Sequence, residues 1–374
     1  MARVDQPADA LLPIDLYANP GEGLCTSKAG ALATRRAFFL SAASAYAATR
    51  PQDPLSATSL VGPETIELMQ FYVTAASPEA EALFEAGLAL AMGFNHEAAL
   101  DVFMAAQEAD PKCAMCAWGE AYVLGSDINA PIVPDQAGRA MEAAQRAVAL
   151  ASTATSREKA LVVAMQKRFK KERDGTVTEQ PAAFAEAMAA AAERFPDDRM
   201  IRTLAAESMM VTQPWDYWEA DGSPKGMTAQ AQELLESVLA DYPDYPPAIH
   251  FYIHLTEASP EPELALAYAD RLAEQPPELG HLVHMPTHTY YVLGQWRKSV
   301  EQNKLAIAAD EAYIASHPVS DFYRYGYYPH NVHFALTSAQ MGGDGALALA
   351  MADKLAAALP MEMAAVAPWI EVAE

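Results

Sequence analysis

Histidines in the last third of the chain are the residues whose type and spacing best suit chemistry. The 374-residue sequence contains nine histidines. Eight of them lie between positions 250 and 333, where an even distribution would place about two. Seven of the eight have helical spacing and form three sets: His250 and His254; His281, His284 and His288; His330 and His333. Because residues three or four apart share one face of a helix, each set predicts a row of imidazoles along one helix.

These seven histidines predict a transition-metal site, with a polar network or a site for an anionic ligand as the alternatives. Imidazole is the commonest metal ligand, and a shared cation removes the cost of burying several unpaired rings together. Seven ligands exceed what one tetrahedral ion uses, which allows a site with two ions. Imidazole suits copper, iron and zinc. We favour copper over iron or zinc, with Met285 beside His284 as a nearby sulfur, although a methionine at this spacing is also typical of a helix core.

Glu257 continues the helix face that carries His250 and His254. As a catalytic residue it would act as a general base. The alternatives are a metal ligand and a hydrogen-bond partner that fixes the tautomer of an imidazole. Weaker candidates for that partner role are Asn303, Asp310 and Asn331. His96 and His317 lie at predicted helix ends or turns, and we expect structural roles for both.

The elements that must position these side chains are repeated helix pairs. Residues 81–111 combine small residues in a first helix, a turn, and a second helix that ends before Pro111. The residues that mark this order are Ala86, Gly87, Gly93, Ala99, Phe103 and Ala106. Such an order is typical of a tetratricopeptide repeat. Degraded copies or further helix pairs follow at 113–151, 155–195, 246–273, 279–315 and 322–359.

No segment shows convincing strand alternation. The sequence therefore predicts an all-α, tetratricopeptide-type helical solenoid of roughly six to seven helix pairs. The three histidine sets fall on the first helices of consecutive pairs, which line the concave face of such arrays. We expect one site there, where a small molecule or a peptide would bind. Pro286 predicts a kink in the middle row of histidines.

An aromatic segment at 214–224 interrupts the array, and it contains Trp215, Tyr217 and Trp218. One interpretation is a loop that packs its tryptophans over the edge of the solenoid. The other is a lid over the concave face, which would make these three residues a cofactor-binding set. Cys113 and Cys116 form a CxxC pair at a predicted helix N-terminus. They are either a redox or metal pair, or small residues that helix packing requires.

The formal net charge is −24 and the isoelectric point about 4.7. Such a surface repels phosphate backbones and anionic membranes, so we expect no nucleic-acid partner. No stretch is long and apolar enough to predict a transmembrane segment.

Domain boundaries follow from composition. We predict a leader at 1–50, a linker at 51–63, the solenoid at 64–360 and a tail at 361–374. Arg35 and Arg36 precede a short apolar stretch, as in a twin-arginine export signal. This predicts a periplasmic or secreted protein, with a cytoplasmic one as the alternative.

Several phrases of the chain resemble a widespread group of bacterial tetratricopeptide-repeat proteins, many of them exported. They are FNHEA from Phe94, DPKCAMCAWG from Asp110, PWDYW from Pro214, IHFYIH followed by EAS from Ile249, GHLVHMPTH from Gly280, and YPHNVHF from Tyr328. The resemblance covers about residues 64–358. It implies the repeat fold and the importance of these phrases, and it names no reaction.

Three functional hypotheses follow. The first is a metal-binding tetratricopeptide-repeat protein that acts as an oxidoreductase, which fits the export of a folded metalloprotein. The second is a non-catalytic scaffold for a peptide or protein partner. The third is a zinc-dependent hydrolase that uses Glu257 as base on a metal-bound water.

Overall fold

The computed structural model describes residues 58–360 as an array of paired α-helices. The predicted leader at 1–50, the linker up to residue 57 and the tail at 361–374 lie outside the described residues, as does Cys25. A short helix α1 (Pro63–Leu68) precedes the pairs. Within the described part of the chain, no helix is long and apolar enough to cross a membrane.

Seven helix pairs follow α1 within residues 58–360, at the upper end of the predicted range. The first four pairs are α2 (Pro78–Met92) with α3 (His96–Ala109), α4 (Ala114–Val123) with α5 (Pro134–Leu150), α6 (Ser156–Arg168) with α7 (Pro181–Arg194), and α8 (Arg199–Met210) with α9 (Thr228–Asp241). The last three are α10 (Pro246–Thr256) with α11 (Leu266–Ala273), α12 (Gly280–His284) and α13 (Pro286–Val292) with α14 (Trp296–Ser316), and α15 (Tyr328–Met341) with α16 (Gly345–Ala358). The protein is an all-α, tetratricopeptide-type solenoid.

Small residues and caps explain why these segments pair as helices. A Cβ atom added at Gly87 would lie 2.9 Å from the Phe103 ring, and one added at Gly119 would lie 2.5 Å from it. Phe103 therefore fits between α2 and α4 only because both neighbours lack a side chain. At the start of α6, Thr155 and Glu158 form a reciprocal capping box, which satisfies amide groups that the first helical turn leaves free.

A short β-hairpin departs from the expectation that the chain contains no strand. Strand β1 (Phe169–Lys171) pairs antiparallel with β2 (Val177–Glu179). Three residues per strand are too few to show alternation in the sequence. Arg168, buried at the end of α6, is 2.7 Å from a Glu179 oxygen, and this ion pair ties the hairpin to the helix.

The aromatic segment at 214–224 lies inside a repeat, between α8 and α9, rather than between repeats. One continuous apolar core extends from Val61 to Tyr327. A smaller second core fills the space between α14, α15 and α16, around Val332 and Leu336. The site described next lies where the last three pairs meet.

Candidate metal centre

Four helices carry the seven histidines of the predicted site. Helix α10 carries His250 and His254, and α15 carries His330 and His333. The middle row is divided as Pro286 predicts, because α12 ends at His284 and α13 begins at Pro286. Proline has no amide hydrogen to continue the ladder, and this interruption separates the part of the row on α12 from His288 on α13.

The first triad consists of His250, His254 and His281, all of them buried. The Nε2 atom of His281 lies 3.0 Å from Nε2 of His250 and 3.5 Å from Nε2 of His254. One ligand atom from each residue lies within 4.8 Å of the others. Three ring nitrogens from two helices therefore converge on one point.

The second triad consists of His284, His288 and His330. Its Nε2 atoms converge in the same way, with His284 at 2.9 Å from His288 and 3.1 Å from His330. Three nitrogens bound to one ion at 2.0–2.1 Å would be roughly 3.4 Å apart. The two Nε2–Nε2 distances given for each triad lie within about half an ångström of that value.

The two triads adjoin each other. Ring centroids of His254 and His288 are 5.6 Å apart, and those of His281 and His284 are 6.3 Å apart. Within the second triad, the corresponding distance between His288 and His330 is also 5.6 Å. The six rings thus form a single cluster with two points of convergence.

Hydrogen bonds on the opposite nitrogen hold several of these rings in place. His250 Nδ1 is 3.2 Å from the carbonyl oxygen of Met92. His284 Nδ1 is 2.7 Å from Oδ1 of Asn303. Each contact requires a proton on Nδ1, because a carbonyl or amide oxygen only accepts. In this tautomer the Nε2 atom presents a lone pair to the centre of the triad.

Glu257 connects the two triads. One carboxylate oxygen is 3.4 Å from Nδ1 of His254, and the other is 2.6 Å from Nδ1 of His288. The carboxylate therefore lies behind one ring of each triad, on the side away from the converging nitrogens. Of the three roles considered for Glu257, this contact corresponds to a partner that fixes imidazole tautomers.

The second triad has a geometry that a bound cation would satisfy. Asn303 Nδ2 donates to the carbonyl oxygen of Ser299 at 3.0 Å, which leaves its Oδ1 to accept from His284 Nδ1. His288 Nδ1 in turn donates to Glu257. Both Nε2 atoms then carry lone pairs, which face each other across 2.9 Å. That approach is repulsive unless a proton or a metal ion lies between them.

Burial disfavours a proton on the Nε2 atom of His284. It lowers the pKa of His284 well below the usual value, and the neighbouring His288 lowers it further. Burial and neighbouring histidines likewise lower the pKa of His250, His281 and His330. Burial also disfavours charge on Glu257, but the adjacent His288 and the hydrogen bonds from the two rings bring its pKa to about 2. Glu257 is therefore a carboxylate that accepts from both rings, which is the charge state that suits a partner of metal-binding histidines.

The other candidate residues lie elsewhere. His333 is buried on α15 but belongs to neither triad, and burial lowers its pKa to about 4. Asp310 accepts hydrogen bonds from Tyr323 and Asn331, each at 2.7 Å. Burial raises the pKa of Asp310 to about 7 despite these bonds. Of the three predicted hydrogen-bond partners, Asn303 contacts a triad ring, whereas Asp310 and Asn331 bond each other. His317 contacts Ser316.

The aromatic loop reaches the first triad. The Trp215 ring packs edge-on against His254, with centroids 5.0 Å apart. Trp218 Nε1 donates to the carbonyl oxygen of Leu255 at 2.8 Å, which anchors the loop to α10. Tyr217 is buried in the main core. Tyr217 and Trp218 therefore hold the loop, while Trp215 covers a triad ring.

Two residues with left-handed backbone flank the first triad. Phe94 has φ of 60° and Trp215 has φ of 65°, and they are the positive-φ residues other than glycine in the described part of the chain. The Phe94 ring stacks on His281 at 4.7 Å with an interplanar angle of 14°. Such a backbone costs about 1–3 kcal/mol in a bulky residue and concentrates at functional sites.

Cys113 and Cys116 form a disulfide at the start of α4. Both cysteines are buried in the main core. Neither belongs to the histidine groups that could hold a metal ion.

No protein-family model matches this chain, and no curated protein matches it. Among solved structures it is similar to the human IFIT1 dimer with PPP-AAAA, at 16% identity and a TM-score of 0.37, over 74% of this chain and 72% of that one. It is also similar to the human IFIT1 dimer with m7Gppp-AAAA, at 12% identity and a TM-score of 0.41, over 81% of this chain and 73% of that one. At these TM-scores the likeness carries no argument about ligands or activity.

Proposed function

We propose that this protein binds two transition-metal ions side by side, each held by three histidine Nε2 atoms. The observation that carries the proposal is the facing pair of lone pairs on His284 and His288, 2.9 Å apart and fixed by partners on both Nδ1 atoms. The first triad repeats the arrangement on the other side of Glu257. Because the two triads adjoin each other, two bound ions would be able to act together on one bound molecule.

We propose copper as the resident metal. The convergent atoms are all imidazole nitrogens, and the one nearby carboxylate, Glu257, is engaged by two Nδ1 atoms. Non-haem iron more often takes a carboxylate together with two histidines. Copper(II) binds nitrogen ligands more tightly than zinc or iron(II) does. Met285 is fully buried beside His284, and no sulfur contact with a triad contributes to this choice.

The reaction class that follows is oxidoreduction. A bound copper pair would supply redox chemistry, while the chain orients four of the six rings through Glu257, Asn303 and Met92. Hydrolysis on zinc with Glu257 as base is less favoured, because that carboxylate contacts the rings on the side away from the converging nitrogens. A scaffold role for the solenoid is compatible with either, since repeat arrays commonly bind partners.

Export of the protein, with a twin-arginine leader, remains our proposal for its location. The disulfide between Cys113 and Cys116 supports it, because such bonds persist in oxidising compartments. Membership of the exported bacterial tetratricopeptide group is likewise proposed from the phrases in the sequence. A nucleic-acid partner is not proposed, given the net charge of −24.

Elemental analysis of purified protein tests the proposal. We expect two ions per chain, and copper in preference to zinc when both are offered during refolding or reconstitution. The double variant His284→Asn and His288→Asn should retain one ion, while His317→Asn, a buried histidine outside the triads, should retain two. Metal-free protein whose melting temperature does not change on adding copper or zinc would refute it.

A further inference from the structure

A cleft opens beside the first triad, between the start of α3, residues 123–136 and the segment before α15. Its volume is about 100 Å³. A cavity of about 150 Å³ is known to hold benzene, so a cleft of this size that also opens outward suits one small ring better than a peptide. Part of its wall is aromatic, formed by Phe94, Phe322 and Tyr327.

The cleft is separated from the metal centre by a single layer of aromatic rings. Phe94 and Tyr327 both line it, and both contact the His281 ring, at centroid distances of 4.7 and 5.0 Å. Phe94 also packs edge-on against His250 at 4.6 Å. The Nδ1 atom of His281 has no hydrogen-bond partner among the described residues. A molecule in the cleft would therefore lie next to the first triad.

The polar side of the cleft is a fixed histidine–aspartate pair. His96 Nδ1 lies 3.2 Å from Oδ2 of Asp127. The other oxygen, Oδ1, accepts from the backbone amides of Asn129 and Ala130, at 2.6 and 2.8 Å. These bonds hold the carboxylate, which in turn orients the imidazole of His96. The second polar neighbour is Glu97, also in the wall.

The lining selects against anions. Asp127 and Glu97 are both acidic groups, and arginine and lysine are absent from the residues that line the cleft. Burial opposes charge on His96, yet its contact with Asp127 raises its pKa, and this pairing leaves no free cation for an added carboxylate or phosphate. A flat apolar ring would contact the aromatic walls in the offset or edge-on geometry that such rings prefer. A hydroxyl on that ring would find a hydrogen-bond partner in His96.

We propose that this cleft binds a small neutral phenol, with its ring against Phe94 and Tyr327 and its hydroxyl on His96. The role of the phenol as substrate of the metal centre rests on the proposed function, whereas its binding does not. The binding pair is His96, for which the sequence predicts a structural role, and Asp127, which carries no signal in the sequence.

Binding is tested with 4-fluorophenol by fluorine NMR on protein as isolated and on protein treated with a chelator. At neutral pH this ligand is uncharged, as the usual pKa of a phenol is about 10. Val133 lines the cleft and is only partly buried, so Val133→Trp should fill the space without removing a core residue. The matched control is Val163→Trp, at a site on α6 that is 53% exposed.

We expect binding to the wild type and to Val163→Trp, and at least a tenfold weaker affinity in Val133→Trp. His96→Phe keeps the ring and removes the hydrogen bond, which should weaken binding about tenfold. Toluene, which has no hydroxyl, and benzoate, which is anionic, should compete poorly. Equal binding by wild type and Val133→Trp, or equal competition by benzoate, would overturn the inference.

The two proposals fail separately. Phenol binding by protein that takes up neither copper nor zinc when these are added would uphold the cleft and refute the metal site. Two ions per chain without phenol binding would refute the cleft and leave the metal site intact.

Discussion

The two triads share one arrangement of nitrogens but have different surroundings. In the second triad, His284 is held by Asn303, and His288 is held by the shorter of the two Glu257 contacts. In the first triad, the contact from Glu257 to His254 is longer, and Nδ1 of His281 has no hydrogen-bond partner among the described residues. Polar contacts thus position the second triad more tightly.

The aromatic side chains that cover the two triads also differ in the backbone that carries them. Phe94 and Trp215 lie against the first triad, both with left-handed backbone, and the cleft opens beyond Phe94. Phe334, on the regular helix α15, packs against all three rings of the second triad. We infer that the second triad is the firmer metal site and the first is the one that meets a bound molecule.

Replacement of one triad histidine should have the largest effect, because it should remove the ion of one triad and leave the ion of the other. His281→Asn removes a ligand of the first triad, and His284→Asn removes one of the second. Each variant should bind one ion instead of two, because two remaining imidazoles hold an ion poorly. Elemental analysis of both variants checks this. Loss of both ions from His281→Asn alone would show that the triads are not separate sites.

Glu257→Gln should weaken both sites at once. The neutral amide cannot replace a carboxylate that accepts from His254 and His288 together. Loss of such a partner typically costs about 10- to 100-fold in metal affinity. Competition titrations with a coloured chelator would measure it. An unchanged affinity at either site would contradict the bridging role of Glu257.

Asn303→Ala should weaken the second site only. The variant removes the acceptor of His284 Nδ1, which is fixed at 2.7 Å, and we expect a loss of about tenfold or more. The same chelator titration should show this loss of affinity as a change in the step for the second site, with the step for the first site unchanged. Glu301→Ala, an exposed change on the same helix, is the matched control.

Trp215→Gly should affect only the first site, because it should give a chelator easier access to the ion held there. Glycine adopts the positive φ of this position without strain, and the change removes the ring that packs on His254. One aromatic contact is worth about 0.5–1.5 kcal/mol, so chelator should extract the first ion up to about tenfold faster. Faster loss of the second ion instead would contradict the conclusion that Trp215 covers the first triad.

His333→Asn should have the smallest effect. His333 lies on the same helix as His330 but in neither triad, so we expect two ions per chain and at most about 1 kcal/mol of lost stability. Elemental analysis with thermal unfolding tests this. Loss of an ion would restore His333 as a ligand, as its spacing in the sequence predicts.

Much of the fold could be predicted because its determinants are local. The small residues around Phe103 and the break at Pro286 are visible in sequence as spacing. The rows of histidines are also local patterns. The hairpin at 169–179 could not be predicted, since three residues per strand carry too little alternation.

The division of the site into triads could not be predicted. His281 and His284 lie on one short helix yet contribute to different triads, which depends on how α10, α12, α13 and α15 meet. Sequence spacing also could not show that Asn331 donates to Asp310 instead of contacting the histidines of a triad. His96 gives no sequence signal for the cleft, because its partner Asp127 lies on the loop between α4 and α5.

Anomalous X-ray diffraction at the copper absorption edge, on crystals of copper-loaded protein, tests the central claim most directly. Our account predicts two anomalous peaks, one within about 2.0–2.1 Å of Nε2 of His250, His254 and His281 and the other within the same distance of Nε2 of His284, His288 and His330. A single peak shared by the six rings, or no peak among them, would contradict it.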